Sequence, residues 1–223
     1  MIDEALNTVQ AKINKALVSA NREANDVNLV AVSKNHGADK AEEALIAGHR
    51  VFGENRVQEA ALKWPALKEK YEGVELHLIG SLQTNKTQDA VALFDVIETI
   101  DRPKLARTIA REITALGKSP KLFIQVNTGE ETQKAGVLPS ELEGLLTLCT
   151  DELGLAIEGL MCIPPVDEPS AMHFGLLAKL AKQHGLSKLS MGMSRDYDVA
   201  IEMGAHYVRV GTAIFGERPP FKD

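Results

Sequence analysis

"KLSMGMSRDYDVAIEMGAHYVRVGTAIFGER", residues 188–218, places two strand-then-helix units in one short stretch. KLSMG (188–192) and HYVRVG (206–211) are largely apolar runs of strand length, and 195–203 between them has helical spacing. A strand, a helix and a second strand is the pattern of a parallel pair joined by a crossover. The same alternation runs back through the chain. Strands are predicted at 28–33, 50–53, 75–80, 95–100, 121–127 and 156–161, with helices at 38–47, 55–71, 84–93, 101–117, 139–148 and 169–184. The 101–117 segment carries Asp101 as a cap, an early proline and a closing glycine, and Ser140 and Glu143 have capping-box spacing. Eight strands, each followed by a helix or helical turn, predict a single (β/α)8 TIM barrel over 1–223, of the α/β class. One extra helix, near 2–20, precedes the first strand. An open doubly wound sheet shares the alternation and is the rival; the count of eight favours closure.

Composition narrows the function classes. The chain has 223 residues and a net charge of −6, which disfavours a nucleic-acid surface because such surfaces need a basic footprint. No apolar run approaches the ~18–20 residues of a membrane span. The first seventeen residues, MIDEALNTVQAKINKAL, are amphipathic with early acids, so they read as a helix and not as a secretion signal. Cys149 and Cys162 form no CxxC pair, which suits a reducing compartment and buried core roles. A cytoplasmic protein is expected. The six histidines show no HxH or HExxH spacing, so no metal site is predicted. Trp64, Phe52, Phe94, Phe123 and Phe174 read as core or helix-face residues.

In a barrel of this kind, active groups collect at the carboxyl ends of the strands, and the loops after strands 7 and 8 often hold phosphate. Strand 1, in LVAVSKNHGADK (29–40), ends at Lys34, a residue type rarely buried without cause. Strand 2 runs into Glu54 and Asn55. Strand 7 exits through Met193 and Ser194, with Ser194 at the expected helix start; strand 8 exits through Gly211 and Thr212. Taken singly, an N-cap serine or a turn glycine needs no ligand. Together after strands 7 and 8, two hydroxyls and free backbone N–H groups make a phosphate cradle. Period-2 alternation puts Tyr207, Arg209 and Gly211 on one strand face, so Arg209 should look into the barrel mouth. The competing reading pairs an inward Arg209 with a carboxylate such as Glu54 or Glu217. A lysine among cationic and desolvating neighbours keeps more of its amine free for Schiff-base formation. Lysine, arginine and phosphate cradle suit pyridoxal 5′-phosphate, yet a Schiff-base aldolase for a phosphorylated sugar needs the same parts.

The motifs AVSKN, AGHRVFGENRVQE, HLIGSLQTNK, IETIDRPKLA, IQVNTGEETQKAGV, GLMCIPP and the 189–218 block resemble, in order, the pyridoxal phosphate homeostasis family. The likeness runs from about residue 29 to 218. It implies a barrel like the N-terminal domain of alanine racemase, with the cofactor as an internal aldimine on Lys34. It further implies Arg209 at the pyridine nitrogen, Asn55 near the ring, phosphate held by Ser194, Gly211 and Thr212, Met193 among the cofactor-binding residues, and Lys134 near the cofactor entrance. Two positions depart from the family pattern: His36 stands where a second lysine is common, and Ser81 where histidine is common. A role in cofactor storage and supply is implied, with no catalytic residue assigned. The chain is expected to be a monomer, with apo-enzymes that use the cofactor as its acceptors. An arginine can only donate to the pyridine nitrogen, which weakens the ring as an electron sink. In the similar racemase a tyrosine from a partner subunit's extra domain serves the second face, and no counterpart of that tyrosine is expected here. Tyr197 and Tyr207 are expected on the helix after Ser194 and deep in the barrel. A racemase or other Schiff-base enzyme is the alternative, and a barrel that binds another phosphorylated metabolite without a covalent bond is a third reading.

Overall fold

The computed structural model describes residues 1–217. Its eight strands are β1 (Asn28–Val32), β2 (Val51–Glu54), β3 (Glu75–Leu78), β4 (Val96–Ile100), β5 (Lys121–Val126), β6 (Ile157–Cys162), β7 (Lys188–Met193) and β8 (Tyr207–Val210). They pair in chain order as a closed barrel, every pairing is parallel, and β8 returns to β1. Closure follows from sequence lengths: each crossover is long enough for a helix, and the last strand finds the free edge of the first. The helices are α1 (Ile2–Ser19), α2 (Ala38–Ile46), α3 (Val57–Lys70), α4 (Thr87–Leu93), α5 (Pro103–Leu116), α6 (Leu142–Thr147), α7 (Ser170–Gln183), α8 (Tyr197–Glu202) and α9 (Thr212–Phe215). The expected extra helix, α1, packs on α2, α8 and α9 and so covers the β8–β1 seam.

Burial has two layers. Val30, Val96, Phe123, Met161 and Tyr207 fill the barrel interior, while the larger apolar cluster lies between strands and helices. Phe52, Trp64, Phe94, Phe123 and Phe174 are all buried, as are both cysteines. Burial alone pushes the Cys149 thiol up to about 11. Among the described residues no helix is long and apolar enough to cross a membrane.

Two capping expectations are corrected. α5 starts at Pro103 with Arg102, not Asp101, at the cap: the Arg102 carbonyl accepts the Leu105 and Ala106 N–H groups, and Asp101 forms an ion pair with the Arg102 guanidinium. Residues Pro139–Glu141 form a 3₁₀ turn before α6, so Ser140 lies inside that turn and caps nothing. The final arginine of the 189–218 motif, Arg218, and the tail to Asp223 lie outside the described residues.

Candidate functional site

Lys34, Asn55, Met193, Ser194, Arg209, Gly211 and Thr212 all line one cavity of about 550 Å³ at the carboxyl ends of the strands. Each reaches it because its strand delivers it there: Lys34 follows β1, Asn55 follows β2, Met193 closes β7, and Gly211 follows β8. Apolar walls come from Val32, Ile79, Ile163, Pro164 and Pro165. The cavity is concave, mostly apolar, and carries a few convergent polar groups, which is how small-molecule sites are built. A wider depression of about 1000 Å³ opens beside it between the loops after β1, β2 and β3, and the two share His36 and Asn55.

The loop that carries Lys34 is clamped from outside the barrel. Ser33 Oγ donates to Glu54 Oε1 (2.7 Å), and Lys63 Nζ donates to the same oxygen (2.7 Å) and to the Ser33 carbonyl (2.9 Å). Trp64 Nε1 also donates to Glu54 Oε1 at 3.1 Å. Asn35, in the left-handed region at φ 62°, gives its backbone N–H to Glu59 Oε1 at 2.6 Å. Glu54 is therefore spoken for by α3 and is not the partner of Arg209.

Arg209 points inward as alternation requires, while Val208 and Val210 on the other face join the outer apolar layer. It is buried at 3% exposure, so its charge needs compensation. Nη1 donates to Ser190 Oγ (2.6 Å), Nη2 to the Cys162 carbonyl (2.8 Å), and Glu98 Oε2 lies 3.8 Å away. The carboxylate partner is thus Glu98, not Glu54 or Glu217. Ser190 in turn donates to Glu98 Oε2 at 2.6 Å. Glu98 Oε1 meets His77 Nδ1 at 2.6 Å, and His77 Nε2 meets Glu75 Oε1 at 3.0 Å. Burial opposes charge on His77, yet the flanking carboxylates outweigh it and its pKa is raised. For Glu98 burial is likewise outweighed, by His77 and Arg209, and the carboxyl is held below its ordinary range. None of Glu75, His77, Glu98 or Ser190 was singled out from sequence. The signal was there: the alternation that turned Arg209 inward also turns them inward.

The turns after β7 and β8 differ in detail from expectation. Ser194 is not a helix cap, because α8 starts at Tyr197 with Asp196 at its cap. Asp196 Oδ1 accepts the Met193 N–H at 2.7 Å, which removes that donor from any cradle and sets a carboxylate at the cavity wall. Gly192, at φ +90°, makes the turn possible, since a Cβ there would lie 2.5 Å from the Ala200 Cβ. Gly211 caps α9, so the first N–H groups of that short helix have no acceptor within it. Tyr197 begins α8 and Tyr207 sits with Phe123 and Met161 in the barrel interior; neither is among the residues lining the cavity.

A family model described as the alanine racemase N-terminal domain matches residues 6–219. The pyridoxal phosphate homeostasis protein of Vibrio cholerae is 39% identical, over 97% of this chain and 96% of its own length. Its namesake in Aquifex aeolicus is 38% identical, over 96% of this chain and 97% of its own. The chain belongs to the pyridoxal phosphate homeostasis protein family. PipY of Synechococcus elongatus, solved with PLP bound, superposes with a TM-score of 0.83 at 37% identity, covering 97% of this chain and all of that one. Alanine racemase of Clostridium difficile shares the fold, with a TM-score of 0.73 at 17% identity over 58% of its length. Against the family motifs, His36 packs on the Phe215 ring (centroids 5.6 Å apart) at the edge of both cavities. Burial, then the Lys63 charge, lowers its pKa. Ser81 is exposed in the wider depression. Lys134 donates to the carbonyl of Pro164 (3.1 Å), a cavity residue, and pairs with Glu131 at 2.6 Å.

Proposed function

We propose that this protein binds pyridoxal 5′-phosphate in the 550 Å³ cavity and serves to store, protect and supply it, with little catalysis of its own. The observation that carries the reading is the meeting of Lys34, Arg209, Ser194, Gly211 and Thr212 around one cavity. Their chemistry fits the ligand part by part. Lys34 supplies the amine for a Schiff base with the aldehyde. Arg209, a donor only, faces a ring nitrogen as acceptor and keeps it neutral. The Ser194 and Thr212 hydroxyls and the turn N–H groups take the phosphate, and the apolar walls take the ring faces. When bound, the cofactor supplies an electrophilic aldehyde and an electron-withdrawing ring. This chain's residues bind and orient it, and Arg209 withholds the proton that would strengthen that withdrawal. Relatives named for homeostasis of this cofactor, at 39% and 38% identity, support supply over turnover. Acceptor apo-enzymes and a monomeric, cytoplasmic protein belong to the same reading.

An absorption spectrum of the purified protein should show a visible band, and borohydride reduction with peptide mapping should put the added mass on the Lys34 peptide. Mass only on Lys134, or on no peptide, refutes the assignment. Racemase and transaminase assays should stay below about 1 s⁻¹, the low end of ordinary enzymes; faster turnover on any amino acid favours the enzyme.

A further inference from the structure

Arg209 is the end of a continuous hydrogen-bonded line through the barrel: Lys121, Glu75, His77, Glu98, Ser190, Arg209. Lys121 Nζ donates to Glu75 Oε2 at 2.7 Å, where the line begins at the amino ends of the strands. Both carboxylates are held below their ordinary range, and their ionised state sets the donor of every bond. Guanidinium and ammonium groups only donate, and ionised carboxylates only accept. Ser190 Oγ accepts from Arg209, so its own hydrogen goes to Glu98. His77 lies between two carboxylates, so both ring nitrogens donate and the ring is a cation. With both carboxylates ionised, each bond has one donor and one acceptor, and Arg209 sits at the donor end of the line. With Nη1 committed to Ser190 and Nη2 to the Cys162 carbonyl, the plane of the guanidinium is set, and its remaining N–H groups are those left for the cavity it lines.

We infer that Ser190 and Glu98 are positioning residues for Arg209, which they hold in the one orientation that recognises a ring-nitrogen acceptor. The inference rests on the cofactor reading above and adds to it the device that selects a pyridine over an isosteric ring. Glu98 Oε2 lies 3.8 Å from Arg209 Nη1 and accepts from the Ser190 hydroxyl between them, and its other oxygen is steadied by His77. Among the described residues, Glu98 is the only carboxylate within 4 Å of the Arg209 guanidinium. The Tyr207 ring packs at a tilt on His77 (centroids 5.2 Å apart), and the Cys162 thiol, pushed by burial up to about 12, stays protonated.

The test compares two ligands on the full chain. One is pyridoxal 5′-phosphate. The other is its carbocyclic analogue, with CH in place of the ring nitrogen and the aldehyde and phosphate unchanged. Ser190→Ala should weaken retention of the true cofactor three- to tenfold and leave the analogue within twofold, both measured on folded protein. Glu98→Gln, which keeps size and shape, should act in the same direction, and it carries the comparison alone should Ser190→Ala fail to fold. The double variant should be no worse than the weaker single one, because both act through the same guanidinium. Equal losses for both ligands, or no loss for either, overturn the inference and leave the cofactor reading standing. A parent protein that retains neither ligand overturns both.

Discussion

Lys63→Met would leave the Glu54 carboxylate buried without its cation. Glu54 is wholly enclosed and Lys63 nearly so, at side-chain exposures of 0% and 5%. One carboxylate oxygen collects Lys63, Ser33 and Trp64, and the other, Oε2, has no hydrogen-bond partner among the described residues. Methionine matches the lysine stem and fills the same space, so the packing loss is small. What remains is an uncompensated buried charge, and breaking such a pair from one side costs about 3–5 kcal/mol. In a chain of this size each kcal/mol lowers Tm by about 2–4 °C, so the melt should fall by roughly 6–20 °C. Adding Glu54→Gln removes the stranded charge. The double variant should therefore recover about 1–3 kcal/mol over Lys63→Met alone. Urea denaturation followed by circular dichroism measures all three proteins. A single variant within 1 kcal/mol of the parent, or a double variant no more stable than the single, refutes the reasoning. Cofactor retention should fall with the single variant as well, since Lys63 also holds the carbonyl of Ser33, the residue before Lys34.

Gly192→Ala combines a left-handed φ of +90° with a Cβ 2.9 Å from the Tyr197 Cα, and should cost about 2–4 kcal/mol in the same denaturation assay. It should also loosen cofactor binding by displacing the turn after β7; an unchanged melt would show that the turn relaxes freely. Ser194→Ala with Thr212→Ala should weaken cofactor retention at least tenfold, each hydroxyl contributing about 1.5–3 kcal/mol to a charged acceptor; unchanged retention would place the phosphate elsewhere. Stability should also depend on pH from both sides. Its hydrogen bond from His77 is the main reason the Glu75 carboxyl is depressed from 4.5 to about 2, so that contribution is present above 4.5 and lost as pH falls toward 2. Allowing for its partial exposure, the loss is about 2 kcal/mol, and Glu75→Gln should flatten the acid limb of a Tm-versus-pH curve. The raised His77 pKa has the opposite sign: its contribution is whole below 6.5 and is lost as pH rises through the folded value. A His77→Gln protein that kept the parent's alkaline limb would contradict this.

Local pattern carried much of the fold. Each predicted strand lies within two residues of its observed limits, because burial and period-2 alternation leave their mark on consecutive residues. The inward set of Arg209 and Tyr207 followed from the same rule, and the seven residues named from strand ends do share one cavity. Partnership was another matter. Nothing near Arg209 in the chain points to Glu98, and Ser190 reaches that carboxylate across 92 residues of sequence. Which inward residues meet depends on the stagger of neighbouring strands, and closure sets that stagger through irregular registers such as the shift between Ser190 and Met193 on β7. Caps failed for a related reason. Asp196 displaced Ser194 because the glycine at φ +90° turns the chain before the helix can start, and this geometry is only settled once α8 packs on β7. Alternation along a strand is a one-dimensional property and can be read from sequence. The line from Lys121 to Arg209 runs across five strands, so only the closed barrel decides it.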